Sequence, residues 1–230
     1  MRAKVRSLLS DWELWLKERA AKRVPGFLSS KTLTYLSLVS TILVLLAYYL
    51  SRENLAFIWL ASFFIFTQWV TDTLDGAVGR YRKEGYVKWG MYVDHFFDYL
   101  FFIALTFGIY FVISQPEFLK YFIIIFALGS AFFIHVFLYA SAAGIFEISA
   151  FMISGTELRF IIILLNTAIF FLGKKILTNH WLYIAVVVIL TIVLLFMFVK
   201  TQHNLSDLDM KIKNKNKRNS KRKSKSHTAR

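Results

Sequence analysis

The amino-acid sequence predicts an all-α, polytopic membrane protein with six transmembrane helices and an N-terminal amphipathic helix at the membrane interface. Hydrophobic residues make up 57% of the 230 residues, and they fall in long runs separated by short polar breaks. A water-soluble core would instead alternate apolar and polar positions. The chain has no cysteine, which excludes disulfides, thiolate metal sites and thiol nucleophiles.

Six apolar runs come close to the roughly 20 residues that a helix needs to cross a bilayer. In chain order they cover residues 33–50, 55–74, 91–113, 121–142, 158–172 and 181–199. The fifth run is short, and a start nearer Ile153 would bring Thr156, Glu157 and Arg159 into the membrane. An even number of spans predicts that both termini lie on the same side.

The first 30 residues are predicted to form a helix of their own. Ser10 and Glu13 have the spacing of a capping box, and Trp12, Trp15 and Leu16 share one helical face. These features predict a helix lying on the membrane surface. An ordinary amphipathic helix packed on the rest of the protein remains the alternative.

The charge distribution predicts the orientation in the membrane. Of the net charge of +14, residues 211–230 supply ten Lys or Arg and no acid. The N-terminal segment, the connection 80–88 and the tail after residue 200 are all basic and fall on one side, which should be cytoplasmic. We therefore divide the chain into the interfacial helix 1–30, a six-helix transmembrane domain 31–200 and a disordered polybasic tail 201–230.

The polybasic tail has two readings. It is either a solvated segment that fixes topology, or a segment attracted to anionic lipid headgroups. We expect membrane lipids, and no nucleic acid, as its partners.

Four aspartates, Asp72, Asp75, Asp94 and Asp98, lie where a chain this apolar should avoid charge. Each would cost about 2.5 to 3.5 kcal/mol if charged at mid-membrane. The pairs are three and four residues apart, so on helices each pair projects from one face. The short connection between the second and third spans makes these helices antiparallel neighbours, which brings the two acidic faces together.

An oxygen-only pocket of this kind suits a hard divalent cation such as magnesium, and four carboxylates are enough for two ions. No His or Cys has the spacing of a zinc site, although His95 is adjacent to Asp94 and is a candidate for the surrounding hydrogen-bond network.

Small and basic residues surround the acidic positions. Gly76 and Gly79 share a helical face with Asp72 and Asp75, and Gly90 precedes Asp94 by one turn. They either open the backbone to a ligand or simply let membrane helices pack closely. Arg80 is one turn beyond Gly76, so its side chain can reach a phosphate in the same pocket.

The run Asp72-Thr-Leu-Asp75-Gly76-Ala-Val-Gly79-Arg80, followed by Gly90-Met-Tyr-Val-Asp94-His-Phe-Phe-Asp98, closely resembles the signature D-x2-D-G-x2-A-R-x8-G-x3-D-x3-D of the CDP-alcohol phosphotransferases. The sequence departs from it twice. Gly79 stands where alanine is usual, and nine residues rather than eight separate Arg80 from Gly90. The resemblance extends over six spans, roughly residues 31–199.

The resemblance implies an enzyme that transfers a substituted phosphate group from a CDP-linked donor to an alcohol and releases CMP. The donor would bind near Gly76, Arg80 and Gly90. Two divalent ions, Mg²⁺ or Mn²⁺, would be held by the carboxylates of Asp72, Asp75 and Asp94, and the fourth acid of the set, Asp98, would be the general base. The family also implies a homodimer.

Arg159 and Glu157, at the start of the fifth span, are candidates for the acceptor side of the site. Arg159 would bind a phosphate on the acceptor, if the acceptor carries one, or else would pair with Glu157 at the interface. His135 and Tyr139, one turn apart in the fourth span, either line the same cavity or form a packed pair.

The sequence leaves the substrates open. Arg159 favours CDP-diacylglycerol as the donor with a polar acceptor. His95 after Asp94 is typical of the alternative, CDP-choline or CDP-ethanolamine with diacylglycerol as the acceptor. A cation transporter is a remote third reading, but it predicts acids spread along several spans.

Overall fold

The computed structural model describes residues 15, 17, 19–143 and 155–227, with side chains described to residue 214. Within these ranges the chain is helical and contains no strand. All six long helices are apolar and long enough to cross a membrane, which confirms the predicted fold class. They are α1 (Ser30–Leu50), α2 (Phe57–Arg82), α3 (Val87–Ile113), α4 (Leu119–Ala143), α5 (Gly155–Leu172) and α6 (His180–His227).

The helices are longer than the apolar runs that predicted them. The apolar run in α2 ends near residue 74, but the helix continues to Arg82, and α3 begins at Val87 rather than at Met91. A formed helix extends by one hydrogen bond for each residue fixed, so polar residues can prolong it beyond the apolar zone. All four aspartates lie within regular helix, and Asp75 does so because α2 extends beyond the apolar run.

A tight turn joins α2 to α3. Lys83 has a left-handed backbone with φ of 56°, and Gly85 has φ of 80°. The Glu84 amide donates to the Gly79 carbonyl at 3.0 Å, which closes the end of α2. Only four residues separate the two helices, so they are antiparallel neighbours, as predicted.

The segment before α1 is tied to this turn. The Arg82 guanidinium donates to the carbonyl oxygens of Leu28 at 2.6 Å and Val24 at 2.7 Å. The Glu84 carboxylate accepts from the Ser30 amide at 3.1 Å, at the N-terminus of α1, where negative charge is favourable. These contacts hold the start of α1 against the end of α2 and the turn that follows it.

The core of the protein lies between α1, α2, α3 and α5. Helix α1 packs on both α2 and α3, and α5 packs on α2. Close approach depends on small residues. A Cβ added to Gly108 of α3 would lie 2.4 Å from Cδ2 of Tyr48 in α1. Helix α4 packs on α3, and α6 packs on α4, so this outer pair leaves most of its apolar surface exposed.

A neutral hydrogen-bond network crosses the core. The Tyr48 hydroxyl donates to Asn166 Oδ1 at 2.9 Å, and Asn166 Nδ2 donates to Ser62 Oγ at 3.0 Å. The Ser62 hydroxyl in turn donates to the Ile58 carbonyl at 3.1 Å. The chain of bonds links α1, α2 and α5 within the apolar layer.

The sequence analysis made a prediction for each end of the chain. The Ser10–Glu13 capping box lies outside the described residues, and the interfacial position of the N-terminal helix stays a prediction. At the other end, α6 continues to His227, and the division of the chain into 1–30, 31–200 and 201–230 stays a prediction. Lys and Arg are good helix formers, and a span that is already helical supplies the nucleus for their extension.

Candidate active site

The four aspartates meet at one end of the helix bundle. Asp72 and Asp75 lie on α2, and Asp94 and Asp98 lie on α3. Asp94 lies close enough to interact electrostatically with each of the other three acids, most strongly with Asp72. The structure thus brings together the acidic cluster of Asp72, Asp75, Asp94 and Asp98 that the spacing predicted.

Arg159 of α5 reaches into the acidic cluster. Its Nη2 atom donates to Asp72 Oδ2 at 3.1 Å and to Asp98 Oδ1 at 3.0 Å. The guanidinium lies over the Phe101 ring, with Cζ 5.1 Å from the centroid, and the Arg159 side chain is only 8% exposed. An ionised pair this deeply buried must be well hydrogen-bonded to persist.

Gln68 completes the hydrogen bonding of Arg159. Its Oε1 atom accepts from Arg159 Nε at 2.7 Å, and the residue is fully buried one helical turn before Asp72. The Gln68 Nε2 atom is buried without a hydrogen-bond partner among the described residues. A buried donor without a partner costs about 1 to 3 kcal/mol, so the amide of Gln68 lowers stability unless its contact with Arg159 offsets that cost.

Asp75 is oriented by α1. The Thr34 hydroxyl is 2.7 Å from Asp75 Oδ2 and 3.0 Å from the Ser30 carbonyl. Its single hydrogen is better used on the carboxylate, since charge-assisted hydrogen bonds are the stronger ones. The other carboxylate oxygen of Asp75 accepts from the Gly76 amide.

The residues predicted to bind the donor border the acidic cluster. Arg80 is exposed and folds back along α2, so that a Cβ added to Gly76 would lie 3.2 Å from Arg80 Nη1. At Gly90 an added Cβ would meet nothing within 4 Å, which leaves open space beside the first turn of α3. Gly79 instead serves packing, because its added Cβ would lie 3.0 Å from Ser30 Oγ.

An apolar cavity of about 560 Å³ lies between α3 and α4, and none of the four aspartates lines it. His95 lines it and packs against the Phe137 ring, with the centroids 6.0 Å apart. Lys88 lies at the end of the cavity nearest the α2–α3 turn. The cavity is therefore lined mainly by apolar and aromatic side chains, with Lys88 at one end.

The remaining candidates lie in different places. Glu157 is half-buried in the first turn of α5, and the neighbouring Thr156 hydroxyl accepts from the Trp69 indole at 3.2 Å. His135 bonds Thr201 of α6 at 3.1 Å, which ties the outer pair together. This contact supports a packing role for His135 rather than a place in the acidic cluster.

The donor set of the cluster has the chemistry that a divalent cation needs. Its ligand atoms are all carboxylate oxygens, which hard cations prefer, and four acids outnumber the one guanidinium among them. Among the described residues, however, no group of three acids or histidines is arranged to share one metal ion. Arg159 holds two of the carboxylates, so a cation would need these side chains to rearrange.

Two residues of the site were not predicted from the sequence. Gln68 carries a signal, since a glutamine one turn before Asp72 in an apolar helix lies on the acidic face. Thr34 carries none, because its contact with Asp75 depends on how α1 packs on α2. Both are hydrogen-bonded to the charged side chains and hold them in position.

Comparisons with known proteins agree with the geometry. The family model described as CDP-alcohol phosphatidyltransferase matches residues 27–199, about three quarters of the chain and all six spans. No curated protein and no solved structure matches the chain.

Proposed function

This chain belongs to the CDP-alcohol phosphatidyltransferase family, and we propose that it transfers a phosphatidyl group from CDP-diacylglycerol to the hydroxyl of a polar alcohol, releasing CMP. Members of the family are transferases of substituted phosphate groups. The family and the six apolar helices make the chain an integral, multi-pass membrane enzyme.

The acidic cluster is the observation that carries the proposal. Burying a carboxylate cluster and an arginine in an apolar chain costs free energy of folding. Neutral residues could pack equally well at these positions, so packing does not account for the cluster. Its position between α2 and α3, beside open space at Gly90, suits a reaction on a phosphate group.

Metal binding is part of the proposal, since the family generally depends on divalent cations. Asp72, Asp75 and Asp94, with Asp98 completing the set, are the residues that would hold Mg²⁺ or Mn²⁺. Bound there, the ions would withdraw charge from the diphosphate and make CMP a better leaving group.

Asp98 is the proposed general base. One of its oxygens, Oδ1, accepts a hydrogen bond from Arg159. The other oxygen, Oδ2, would take the proton of the acceptor hydroxyl. Gly76, Arg80 and Gly90 are the proposed donor-binding residues. The return of Arg80 over Gly76 brings a guanidinium to the edge of the cluster, where it would bind the diphosphate.

Two observations favour the lipid as the donor. The cavity between α3 and α4 offers an apolar chamber next to the helix that carries Asp94 and Asp98. Arg159, with Glu157 beside it, suits a polar or phosphorylated acceptor better than diacylglycerol. The alternative, CDP-choline or CDP-ethanolamine with diacylglycerol, draws support from His95, which follows Asp94 and lines that same cavity.

The orientation and the assembly are proposals as well. The basic residues of the α2–α3 turn, the N-terminal segment and the tail support a cytoplasmic site with both termini on that side. A homodimer rests on the family resemblance alone.

Release of CMP tests the function. The full-length protein, purified with Mg²⁺ or Mn²⁺, is supplied with CDP-diacylglycerol or CDP-choline and a panel of alcohols. We expect release only with CDP-diacylglycerol and a polar alcohol. Glu117→Gln, at the α3–α4 connection, is the control and should leave the rate unchanged. Release that needs CDP-choline and diacylglycerol would establish the alternative, and no acceptor-dependent release with any pair would refute the transferase.

A further inference from the structure

The hydrogen bonds of Arg159 fix the orientation of its guanidinium, and one of the partners, Gln68, is not a residue of the signature. One guanidinium from α5 is bound by three side chains on two other helices: Gln68 and Asp72 of α2 at 2.7 and 3.1 Å, and Asp98 of α3 at 3.0 Å. Because the guanidinium is planar and rigid, fixing Nε fixes where Nη2 points. Gln68 therefore aims the atom that bridges the two carboxylates.

Among the described residues, the side chain of Gln68 makes no other hydrogen bond that would explain its burial. Its Nε2 atom has no partner among the described residues, and the side chain is fully buried in an apolar helix. A methionine would fill a similar volume without leaving a donor unpaired. The contact of Oε1 with Arg159 is what distinguishes glutamine from methionine at this position.

The bridge also occupies the cluster. Asp72 Oδ2 and Asp98 Oδ1 both face the same nitrogen, and two cations cannot bind the same carboxylate oxygens at full strength. Arg159 thus supplies, from within the chain, the positive charge that the cluster needs.

We propose that Gln68 is a positioning residue that holds Arg159 as an internal counter-cation of the acidic cluster, so that Arg159 and a divalent cation compete for Asp72 and Asp98. The inference rests on the proposed cation site. If the cluster held a divalent ion, Asp72 and Asp98 would bind it in place of Arg159 Nη2, and the guanidinium would give up its bridge between the two carboxylates. No bond is made or broken in this exchange.

Binding of Mn²⁺ alone tests the competition without any turnover. The full-length protein in detergent is stripped of divalent ions and titrated with Mn²⁺, and the free ion is followed by electron paramagnetic resonance. In Arg159→Met the competing charge is gone, and we expect the Kd for Mn²⁺ to fall about tenfold, equivalent to about 1.4 kcal/mol. In Gln68→Met, where Arg159 is present but no longer aimed, we expect a smaller fall, about threefold.

Two further variants guard against a purely structural effect. Arg159→Lys keeps the charge but cannot reach three acceptors from one rigid fork, so its Kd should lie between those of the wild type and Arg159→Met. Gln115→Leu, an exposed change at the α3–α4 connection, should leave the Kd unchanged. Thermal melting gives a second readout, since Mn²⁺ should raise the Tm of Arg159→Met by more than that of the wild type.

The outcomes separate the two proposals. Unchanged or weaker Mn²⁺ binding by folded Arg159→Met and Arg159→Lys would overturn the competition while leaving the cation site standing. Tighter binding by the Arg159 variants with no change in Gln68→Met would remove Gln68 from its role. If neither the wild type nor any variant binds Mn²⁺, the proposed cation site fails, and the competition fails with it.

Discussion

Two polar clusters that share helices α2 and α5 differ in how their buried polar groups are paired. The neutral network of Tyr48, Asn166 and Ser62 pairs its groups one with another and carries no charge. The acidic cluster lies about 10 Å away along α5, seven residues at about 1.5 Å each, where Arg159 has more carboxylates around it than it can neutralise. The neutral network therefore stabilises the fold. The acidic cluster has an excess of negative charge, which a cationic ligand would neutralise.

Substitution of Asp98 by Asn should have the largest effect on activity. The amide oxygen can still accept from Arg159, but it cannot take a proton from the acceptor hydroxyl. We expect CMP release to fall by about 10² to 10⁴-fold, the usual contribution of a general base. The Tm should stay the same or rise, because one carboxylate fewer is crowded into the cluster. Wild-type turnover in this variant would remove Asp98 from its proposed role.

Substitution of Asn166 by Leu should have the opposite profile. It leaves the buried Tyr48 hydroxyl without its acceptor, at about 1 to 3 kcal/mol of the free energy of unfolding. Turnover by the folded fraction should be unchanged. The check is the midpoint of thermal unfolding beside the rate of CMP release at low temperature.

The double variant Tyr48→Phe, Asn166→Leu provides the control for Asn166. Because it removes both partners, it should lose less stability than the sum of the two single changes. A large fall in turnover by folded Asn166→Leu would contradict the division of labour between the two clusters.

Two glycines of α3 form a matched pair for a third test. An Ala Cβ at Gly108 would lie 2.4 Å from the Tyr48 ring, so Gly108→Ala should lose about 1 to 3 kcal/mol of stability through overpacking. An Ala Cβ at Gly90 meets nothing within 4 Å. Gly90→Ala should keep the Tm and raise the KM for the donor. If the KM of Gly90→Ala for the donor equals that of the wild type, the space beside Gly90 has no part in donor binding.

The smallest expected effect is that of Thr34→Val, which removes the hydrogen bond to Asp75. A hydrogen bond to a charged group contributes about 1.5 to 3 kcal/mol when fully buried, and part of this is recovered by rearrangement. We expect CMP release to fall several-fold with little change in Tm. Thr34→Ser retains the hydroxyl and should restore most of the activity. If Val and Ser give the same rate, Thr34 does not position Asp75.

Most of the architecture could be predicted from the sequence, because a long run of apolar residues identifies a membrane-spanning helix. All six spans were located, and the spacing of four aspartates correctly predicted their meeting between α2 and α3. The ends of the helices were predicted less well, since hydropathy marks the apolar layer and not the last hydrogen bond. For the same reason, hydropathy does not mark the end of α6, which continues well beyond the apolar run 181–199.

The neighbours of the aspartates could not be predicted, because they depend on how helices pack. Arg159 was assigned to the acceptor side from its position at the start of a span. Only the packing of α5 on α2 reveals that it reaches Asp72 and Asp98. Its anchor Gln68 lies 91 residues away in sequence, and Thr34 lies 41 residues from Asp75. A local sequence pattern does not predict contacts between residues so far apart in the chain.

A structure of the full-length protein with Mn²⁺ and a CDP-linked donor tests the central claim most directly, since anomalous scattering locates manganese independently of the protein atoms. We predict manganese coordinated by carboxylate oxygens from both α2 and α3, with the diphosphate of the donor completing its shell. Manganese absent from the cluster while the donor is bound, or bound by one helix with the acids of the other turned away, would contradict the account.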